Sequence, residues 1–488
     1  MTPHVDPTPA LERLLELQRS DMPAQGGRSL AHIYDSGMPE VTRVGSEAMA
    51  AYANSNGLDP AAFPSVVRME NEVVGFAADL LHAPASAVGT VTSSGNESLL
   101  LAVQGARDSR PEVVSPSMVV PETAHSAFHR AAHYFGVRAV VVPVGADYRP
   151  DPVDVAAAID ATTVLVVVSA PSHAHGVIDP ITEIAAVAHS RRVACHVDAG
   201  LGGWVLPYAE AAGRDVRPWD FRVKGVTSMS VDTHKYAYAP KGTSVLLHRS
   251  SRLRHPQYFA AARWPGTSML NSTTQSTRSG GPVAGAWAII RMLGHDGYRR
   301  LAGEVFEAVD RIVEGIAKID GLSVVAEPES TLVAVETDQS CDPFTVIDGL
   351  AARGWSVQPQ MSYGNHPATI HLTVSAATLT KADDFLEALA EAAAEAVETG
   401  PIVADPDILE ILDALDPNEL FDVDFGSLLD AAGMAQSPGS SQLLPQRMAP
   451  VNALLDASSP EMREALWVAF LDRLAKPVRA TVPPLPEG

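Results

Sequence analysis

Short, almost entirely apolar runs alternate with helical patterns between positions 61 and 290, and this alternation constrains the fold most strongly. Because the runs do not alternate between apolar and polar positions, they predict strands that are buried on both faces. Such strands form mostly parallel sheets that helices cover on both sides, so the predicted fold class is α/β. The predicted strands cover 118–120, 139–142, 163–169 and 193–197, and the predicted helices cover 66–81, 97–107, 126–135 and 181–190.

A chain of 488 residues is too long for one compact core, so several parts are expected. Residues 1–60 predict an N-terminal arm, and residues 61–290 predict the large α/β domain. A long amphipathic helix followed by short strands predicts a smaller α+β domain over 291–398. Residues 399–488 predict an acidic, helical C-terminal extension, in which positions 401–446 hold nine acidic residues and no Lys or Arg.

Composition excludes several classes of partner. A net charge of -23 argues against nucleic acid as a general binding partner, because proteins bind phosphate backbones through a basic surface. The two cysteines, Cys195 and Cys341, cannot form a disulfide framework, which favours a reducing, cytoplasmic location. No apolar run approaches the roughly 20 residues needed to cross a bilayer, and the N-terminus lacks a signal-peptide pattern. We therefore expect a soluble protein that acts on a small molecule.

Lys235 is the leading candidate for a catalytic residue. It is one of six lysines, it directly follows His234, and Lys241 lies six positions later. An amine must be neutral to attack a carbonyl, and desolvation can remove the charge from a lysine but not from an arginine. The ordinary alternative is a solvated lysine in a turn, which is the usual fate of a single lysine.

A Ser- and Gly-rich turn at 89–98 leads directly into a predicted helix. The backbone N–H groups at a helix start, together with the helix dipole, suit a bound phosphate. Ser94, Gly95 and Asn96 occupy that position here. The alternative is an ordinary helix that Ser94 or Asn96 caps.

Three further signals lie where predicted strands end. Asp198 ends a buried strand and precedes glycines, and a buried carboxylate there calls for a cationic partner. His125 follows a strand and could stack on a flat ligand, although most such histidines are solvated or cap a helix. The loop at 169–180 carries His175 at another strand end. His129 and His133 have a metal-ligand spacing, but no third ligand is suitably placed, so no metal is expected.

Taken together and in this order, the motifs resemble the fold-type I pyridoxal-phosphate enzymes. Within them the chain is similar to the group II decarboxylase superfamily, and there to the sphingosine-1-phosphate lyase branch. The most specific segment is DTHKYAYAPKGTS at 232–244, supported by TSSGNES at 92–98 and HVDAGLGG at 196–203. The resemblance extends over roughly residues 40–395.

The resemblance implies a role for each candidate residue. Lys235 bonds to pyridoxal 5′-phosphate, Asp198 pairs with the pyridinium nitrogen, and His125 stacks on the ring. The family pattern places the cofactor phosphate against Ser94, Gly95, Asn96, Ser230 and His234.

On the substrate side, the resemblance implies that Lys241 meets a phosphate of the substrate and that Arg278 belongs to the same rim. The candidate base for the substrate hydroxyl is His175 or a water molecule linked to the cofactor phosphate. The resemblance also implies a homodimer whose active sites lie at the subunit interface.

The chain departs from the usual pattern at several positions. Ser94 and Asn96 replace a Gly and a Thr of the phosphate turn, and Ala237 replaces a Gly after the lysine. These changes leave the predicted cofactor site intact. Asp59 replaces a histidine of the substrate region, and the loop sequence His173-Ala-His-Gly replaces an aromatic-Pro-His-Gly. These two changes concern the identity of the substrate.

The expected activity is a carbon–carbon lyase that cleaves an amino alcohol, with or without a phosphate, by a retro-aldol reaction into an aldehyde and an amine. An L-amino-acid decarboxylase that uses the same cofactor site is the alternative. A non-catalytic scaffold that works through the acidic extension is the third possibility, and the Asp198, His125 and Lys235 set argues against it.

Overall fold

The computed structural model describes residues 8–420, 426, 447–475 and 477. These residues divide into two compact units. One is drawn from Met1–Gly315, Val324–Ala334 and Leu372–Phe385, and the other from Ile316–Ser323, Val335–His371 and Leu386–Gly488. The four parts predicted from the sequence have different bounds and stay a prediction. The Ser-, Pro- and Gly-rich segment at 436–446, which the sequence marks as a linker, lies outside the described residues.

A mixed, mostly parallel sheet dominates the first unit. Its seven strands in the described part of the chain are β1 (Val88–Thr92), β2 (Ser117–Pro121), β3 (Arg138–Val142), β4 (Thr163–Ser169), β5 (Ala194–Asp198), β6 (Ser228–Val231) and β7 (Ser244–His248). Their order is β1-β7-β6-β5-β4-β2-β3, and the pairs from β6 to β3 are parallel. Strand β7 runs antiparallel to both β6 and β1. The predicted α/β class is therefore confirmed, and the four predicted strands match β2 to β5 within one residue.

Helices cover this sheet because their apolar faces are removed from water when they pack against its apolar side chains. Leu99 and Val103 of one helix and Phe128 of the next share a core cluster with Met118 and Leu165 of the sheet. The helices of this unit are α1 (Thr8–Gln18), α2 (Pro39–Ala51), α3 (Pro64–Leu80), α4 (Gly95–Asp108), α5 (Ala127–Phe135), α6 (Pro152–Ala158), α7 (Ile181–Ser190), α8 (Leu206–Ala211), α9 (Ser251–Arg254) and α10 (Gly281–Ile316). Helix α10 is kinked at Gly294, whose φ of 53° is not helical. The long amphipathic helix predicted from the sequence corresponds to the second half of α10.

Smaller elements follow the large sheet. Strands β8 (Phe259–Ala261) and β9 (Met269–Asn271) form an antiparallel hairpin. A second sheet has the order β10-β11-β13-β12, with β10 (Leu322–Val324), β11 (Leu332–Thr337), β12 (Gln358–Gln360) and β13 (Thr369–Thr373). The remaining helices are α11 (Pro343–Ala352), α12 (Ala382–Thr399), α13 (Pro406–Ala414), α14 (Ala449–Ala457) and α15 (Pro460–Leu474). This confirms the predicted small α+β region.

The C-terminal helices have a core of their own. Leu412 of α13 and Leu420 pack against Met462 and Leu466 of α15. Ser459 caps α15 by accepting a hydrogen bond from the backbone N–H of Met462 at 3.2 Å. Across the described residues, no helix combines the length and the apolar character that a bilayer crossing requires.

The register of the large sheet positions the candidate site. Ser169 at the end of β4 pairs with Asp198 at the end of β5, and Asp198 pairs with Ser230 of β6. Since the carboxyl ends of parallel strands meet at one edge, the segments that follow β2, β4, β5 and β6 gather there. His125 and Lys235 lie on two of these segments.

Candidate functional site

Lys235 and Asp232 form a largely buried ion pair just after β6. Lys235 Nζ lies 3.1 Å from Asp232 Oδ2, and the two side chains are 18% and 4% exposed. Burial alone would lower the pKa of Lys235, but Asp232 and Asp198 raise it above its ordinary value. Burial alone would raise the pKa of Asp232, but Lys235 and His234 hold it below its ordinary value. The lysine is therefore held as an ammonium ion, which is the opposite of what desolvation alone predicts.

Asp198 lies beside this pair at the end of β5. Its Oδ1 accepts hydrogen bonds from the backbone N–H of Gly200 at 3.1 Å and from the Ser230 hydroxyl at 3.4 Å. A Cβ atom added to Gly200 would lie 3.3 Å from Asp198 Oδ1 and 3.4 Å from Lys235 Nζ. The lysine amine and the carboxylate therefore flank the same glycine. Ser230 thus lies at the Asp198 side of the site, and its role as a phosphate donor stays a prediction.

His125 precedes α5 as a neutral imidazole. Its Nδ1 accepts a hydrogen bond from the backbone N–H of Ala127 at 3.1 Å, so the proton of the neutral ring is on Nε2. Burial lowers the pKa of His125, and Lys235 lowers it further against the opposing effect of Asp198. The His125 ring therefore interacts electrostatically with both Asp198 and Lys235.

The start of α4 faces Asp232. Ser94 caps the helix by accepting a hydrogen bond from the backbone N–H of Glu97 at 3.2 Å. The first N–H groups, from Gly95 onward, have no acceptor within the helix. A Cβ atom added to Gly95 would lie only 2.6 Å from Asp232 Oδ2, so this position needs a glycine. The predicted phosphate turn therefore lies directly beside the lysine and its partner.

His234 also lies in this region, with a defined tautomer. Its Nδ1 donates a hydrogen bond to the Thr243 carbonyl at 2.9 Å, so a neutral ring carries no proton on Nε2. Burial lowers the pKa of His234 and favours that neutral form. Its predicted donation to a phosphate requires the protonated ring and stays a prediction.

The N-terminal arm supplies site residues that the sequence did not indicate. Lys241 Nζ donates a hydrogen bond to the His32 carbonyl at 3.2 Å and lies 5.0 Å from the centre of the Tyr34 ring. Tyr34 in turn packs edge-on against Tyr236 at 5.1 Å and interacts electrostatically with Lys235. Desolvation, together with the charge of Lys235, lowers the pKa of Lys241. His32 and Tyr34 of the arm therefore contact Lys241, and Tyr34 also interacts electrostatically with Lys235.

Arg278 is engaged in an ion pair rather than pointing to solvent. Its Nη1 lies 2.5 Å from Glu70 Oε1, and the two side chains are 18% and 17% exposed. Burial raises the pKa of Glu70 despite this contact with Arg278. The pair borders a cavity of about 280 Å³ that Ser93 and Thr243 also line. Contact between Arg278 and a substrate stays a prediction.

The loop between β4 and α7 orients its two histidines differently. His175 is buried and stacks on Tyr148, with ring centres 4.0 Å apart and planes inclined by 26°. The His173 ring lies 6.1 Å from that of His125, edge to face. His173 is thus the loop histidine beside the stacking candidate, which sequence reasoning missed. The role of His175 as a base stays a prediction.

A sequence model described as "Pyridoxal-dependent decarboxylase conserved domain" matches residues 31–337, more than half of the chain. The chain belongs to the pyridoxal-dependent decarboxylase family. A further model, described as "Pyridoxal-dependent enzyme, C-terminal putative HTH domain", matches residues 406–473. The family match confirms the resemblance predicted from the sequence motifs.

Similar proteins refine this family membership. The sphingosine-1-phosphate lyase of Arabidopsis thaliana is 39% identical over 364 residues, which are 73% of this chain and 66% of that protein. A third of that relative is therefore unmatched. A sphingosine-1-phosphate lyase structure from Burkholderia pseudomallei is 33% identical with a TM-score of 0.76, covering 82% of this chain and 93% of that one. The glutamate decarboxylase of Lactobacillus brevis, 22% identical with a TM-score of 0.70 and covering 82% and 95%, shares the fold.

Pyridoxal 5′-phosphate is the cofactor of this decarboxylase-family protein, and the residues around Lys235 fit it. A helix start suited to a phosphate lies beside the lysine, with a glycine where a side chain would collide with Asp232. A carboxylate, Asp198, is available for a ring nitrogen, and the neutral imidazole of His125 interacts electrostatically with both Asp198 and Lys235. The Thr123 hydroxyl is buried without a hydrogen-bond partner among the described residues and is a further polar group near His125.

Proposed function

We propose that this decarboxylase-family protein is a carbon–carbon lyase that cleaves a phosphorylated amino alcohol of the sphingosine-1-phosphate type into an aldehyde and an amine. The observation that carries the proposal is Lys241. It lies six residues after Lys235 and contacts the His32 carbonyl and the Tyr34 ring. An ammonium ion beside the reacting lysine is a suitable contact for a substrate phosphate. The identity to sphingosine-1-phosphate lyases supports the same assignment.

Each cofactor-side residue has a proposed task. When bound, pyridoxal phosphate supplies an electron sink for bond cleavage at the carbon next to the substrate amine. Lys235 would hold the cofactor covalently until the substrate amine replaces it. Asp198 would keep the ring nitrogen protonated, and His125 would stack on the ring. The proposed phosphate contacts are Ser94, Gly95, Asn96, Ser230 and His234.

On the substrate side, Lys241 and Arg278 are proposed to orient the phosphate. A histidine of the loop after β4 is proposed to take the proton from the substrate hydroxyl as the carbon–carbon bond breaks. His175 is the candidate from the sequence, and the proximity of His173 to His125 makes it the second candidate. Either histidine acts as a general base in its neutral form.

We further propose a cytoplasmic homodimer whose active sites lie at the subunit interface. Two free cysteines suit a reducing compartment, and the resemblance to the lyase branch implies the dimer. Light scattering of the purified full chain tests the dimer, and a monomer with full activity would contradict it.

Absorbance spectra of the wild type and Lys235→Ala test the proposed function. We expect a cofactor band near about 420 nm in the wild type and its loss in the variant. Lys224→Ala, which removes an exposed lysine elsewhere, is the matched control and should keep the band. Addition of a phosphorylated long-chain amino alcohol should change the spectrum and release an aldehyde.

An L-amino-acid decarboxylase is the alternative, supported by the family match and by the cationic Arg278. Carbon dioxide released from an amino acid, with no aldehyde from the amino alcohol, would favour it. Failure of the wild type to bind added pyridoxal phosphate would refute both activities.

A further inference from the structure

The two carboxyl oxygens of Asp232 have different surroundings, and the ion pair with Lys235 accounts for only one of them. Its Oδ2 contacts Lys235 Nζ at 3.1 Å, while its Oδ1 is buried without a hydrogen-bond partner among the described residues. Both oxygens face the start of α4, at 2.6 and 2.7 Å from the position of a Cβ atom on Gly95. Asp232 therefore lies between the lysine amine and the predicted phosphate turn.

Several charged or titratable groups surround this carboxyl. Lys235 and His234 on its own segment stabilise its negative form. Across the site, Asp232 interacts electrostatically with His125 from the segment before α5, with Tyr34 from the N-terminal arm, and with Lys241. Lys235 is the cation in direct contact with Asp232, so the charge of the carboxyl depends chiefly on the charge of this lysine.

Cofactor binding changes both sides of this ion pair. Lys235 must lose a proton before its nitrogen can attack the cofactor aldehyde. A phosphate dianion at the start of α4 would lie close to the Asp232 carboxylate, and like charges in a desolvated site repel strongly. Once the ammonium ion is gone, burial is the largest influence on the pKa of Asp232 and favours the neutral carboxyl, against the smaller effects of His234 and of a hydrogen bond with Ser244.

We propose that Asp232 is the proton acceptor for cofactor loading and stays protonated beside the bound cofactor phosphate. This inference rests on the proposed bond between Lys235 and the cofactor.

The proton transfer balances within the pair. The proton moves from Lys235 Nζ to the Asp232 carboxylate, so that an ammonium ion and a carboxylate become an amine and a carboxylic acid. The amine would then add to the aldehyde carbon, and the aldehyde oxygen would leave as water with the two amine hydrogens as the carbon–nitrogen double bond forms. The imine nitrogen would take its proton from the ring hydroxyl of the cofactor, so Asp232 would keep the proton that it received. The carboxylic acid offers an O–H donor to a neighbouring phosphate oxygen in place of a repelling charge.

Infrared difference spectroscopy of the full chain, with and without pyridoxal phosphate, tests this directly. In the wild type we expect a new band in the region of protonated carboxylic acids, shifted to lower frequency in heavy water, with one carboxyl per bound cofactor. Asp232→Asn should lose this band. Asp220→Asn replaces another buried, ion-paired aspartate remote from Lys235 in sequence and should keep it.

Visible absorbance of the same samples separates the two hypotheses. A cofactor band without the carboxylic-acid band in the wild type would overturn the role of Asp232 and leave the proposed lyase intact. Absence of the cofactor band would instead contradict the bond to Lys235. The wild-type measurement stands even if Asp232→Asn fails to fold, and the retention of the infrared band in a folded Asp232→Asn would also overturn the assignment.

Discussion

Two buried aspartates of the first unit, Asp232 and Asp179, have pKa values that are shifted in opposite directions. Each has an oxygen without a hydrogen-bond partner among the described residues. Asp232 touches the Lys235 ammonium, and its pKa is held below the ordinary value despite burial. For Asp179, burial raises the pKa to about 7, although the backbone N–H of Ser169 donates to its Oδ2 at 2.7 Å.

The difference lies in what each carboxyl contacts. Arg149 lowers the pKa of Asp179 electrostatically, but its guanidinium forms an ion pair with Glu329 at 2.5 Å rather than with Asp179. One neutral N–H donor does not offset the loss of water around a charge, whereas a cation in direct contact does. Of these two aspartates, the one in direct contact with a cation keeps the lower pKa. The charge of Asp232 therefore depends on whether Lys235 carries a proton.

Lys235→Met should have the largest effect, because it leaves Asp232 in the situation of Asp179. Activity should fall by at least about 1000-fold, since the residue that bonds to the cofactor is lost. In cofactor-free protein, the free energy of unfolding at pH 8 should fall by about 3 kcal/mol, because a buried charge loses its partner. The loss should be smaller at pH 5, where Asp232 can take up a proton. Chemical denaturation at the two pH values measures this.

The double variant Lys235→Met/Asp232→Asn is the control for that result. It should recover most of the stability at pH 8 but none of the activity, because no charge is left unpaired. An equal loss of stability at both pH values in Lys235→Met would show that Asp232 is not the source.

Asp179→Asn should remove a pH dependence of stability. The unfolded carboxyl loses its proton near 3.8 and the folded one near about 7, so in this interval only the folded state holds the proton. The free energy of unfolding therefore falls as the pH rises from about 4 to about 7, by up to about 4 kcal/mol. At pH 8 the variant should be more stable than the wild type by about 2 kcal/mol.

Denaturation curves between pH 4 and 8 check this expectation. Asp151→Asn changes an aspartate that caps α6 at the surface and should keep the wild-type slope. A slope that is unchanged in Asp179→Asn would mean that the carboxyl is already ionised in the folded protein.

The sequence predicted the scaffold of the site well, for an identifiable reason. Strands β2 to β5 are continuous apolar runs bounded by turns, a local signal that fixes both their type and their ends. Because parallel strands end at one edge, the placement of His125 and Asp198 at that edge followed from the strand assignment. Lys235 follows β6, which was not among the predicted strands, and its place in the site was implied by the family resemblance.

What the sequence could not supply depends on contacts between distant segments. Tyr34 reaches the site through the arm, where the contact between Lys241 and His32 joins residues 209 positions apart. The proximity of Gly95 to Asp232, and with it the role proposed for Asp232, depends on how α4 meets the segment after β6. The stacking of His175 on Tyr148 is a property of loop geometry, which no periodic pattern encodes.

Of the three predicted substitutions, Lys241→Met should have the smallest effect. It tests whether the second lysine near Lys235 contacts the substrate. Unlike the enclosed Asp179, Lys241 reaches the surface, where a substrate phosphate could replace solvent as its partner. The KM for a phosphorylated amino alcohol should rise about 10-fold with little change in kcat. The variant loses a charge-assisted contact that is equally strong in the substrate complex and in the transition state. Lys241→Arg keeps the charge and should restore most of the affinity. The wild type, Lys241→Met and Lys241→Arg should all cleave the unphosphorylated amino alcohol equally well. A loss that is equal for both substrates would place Lys241 in the support of Tyr34 and Lys235 rather than in phosphate recognition.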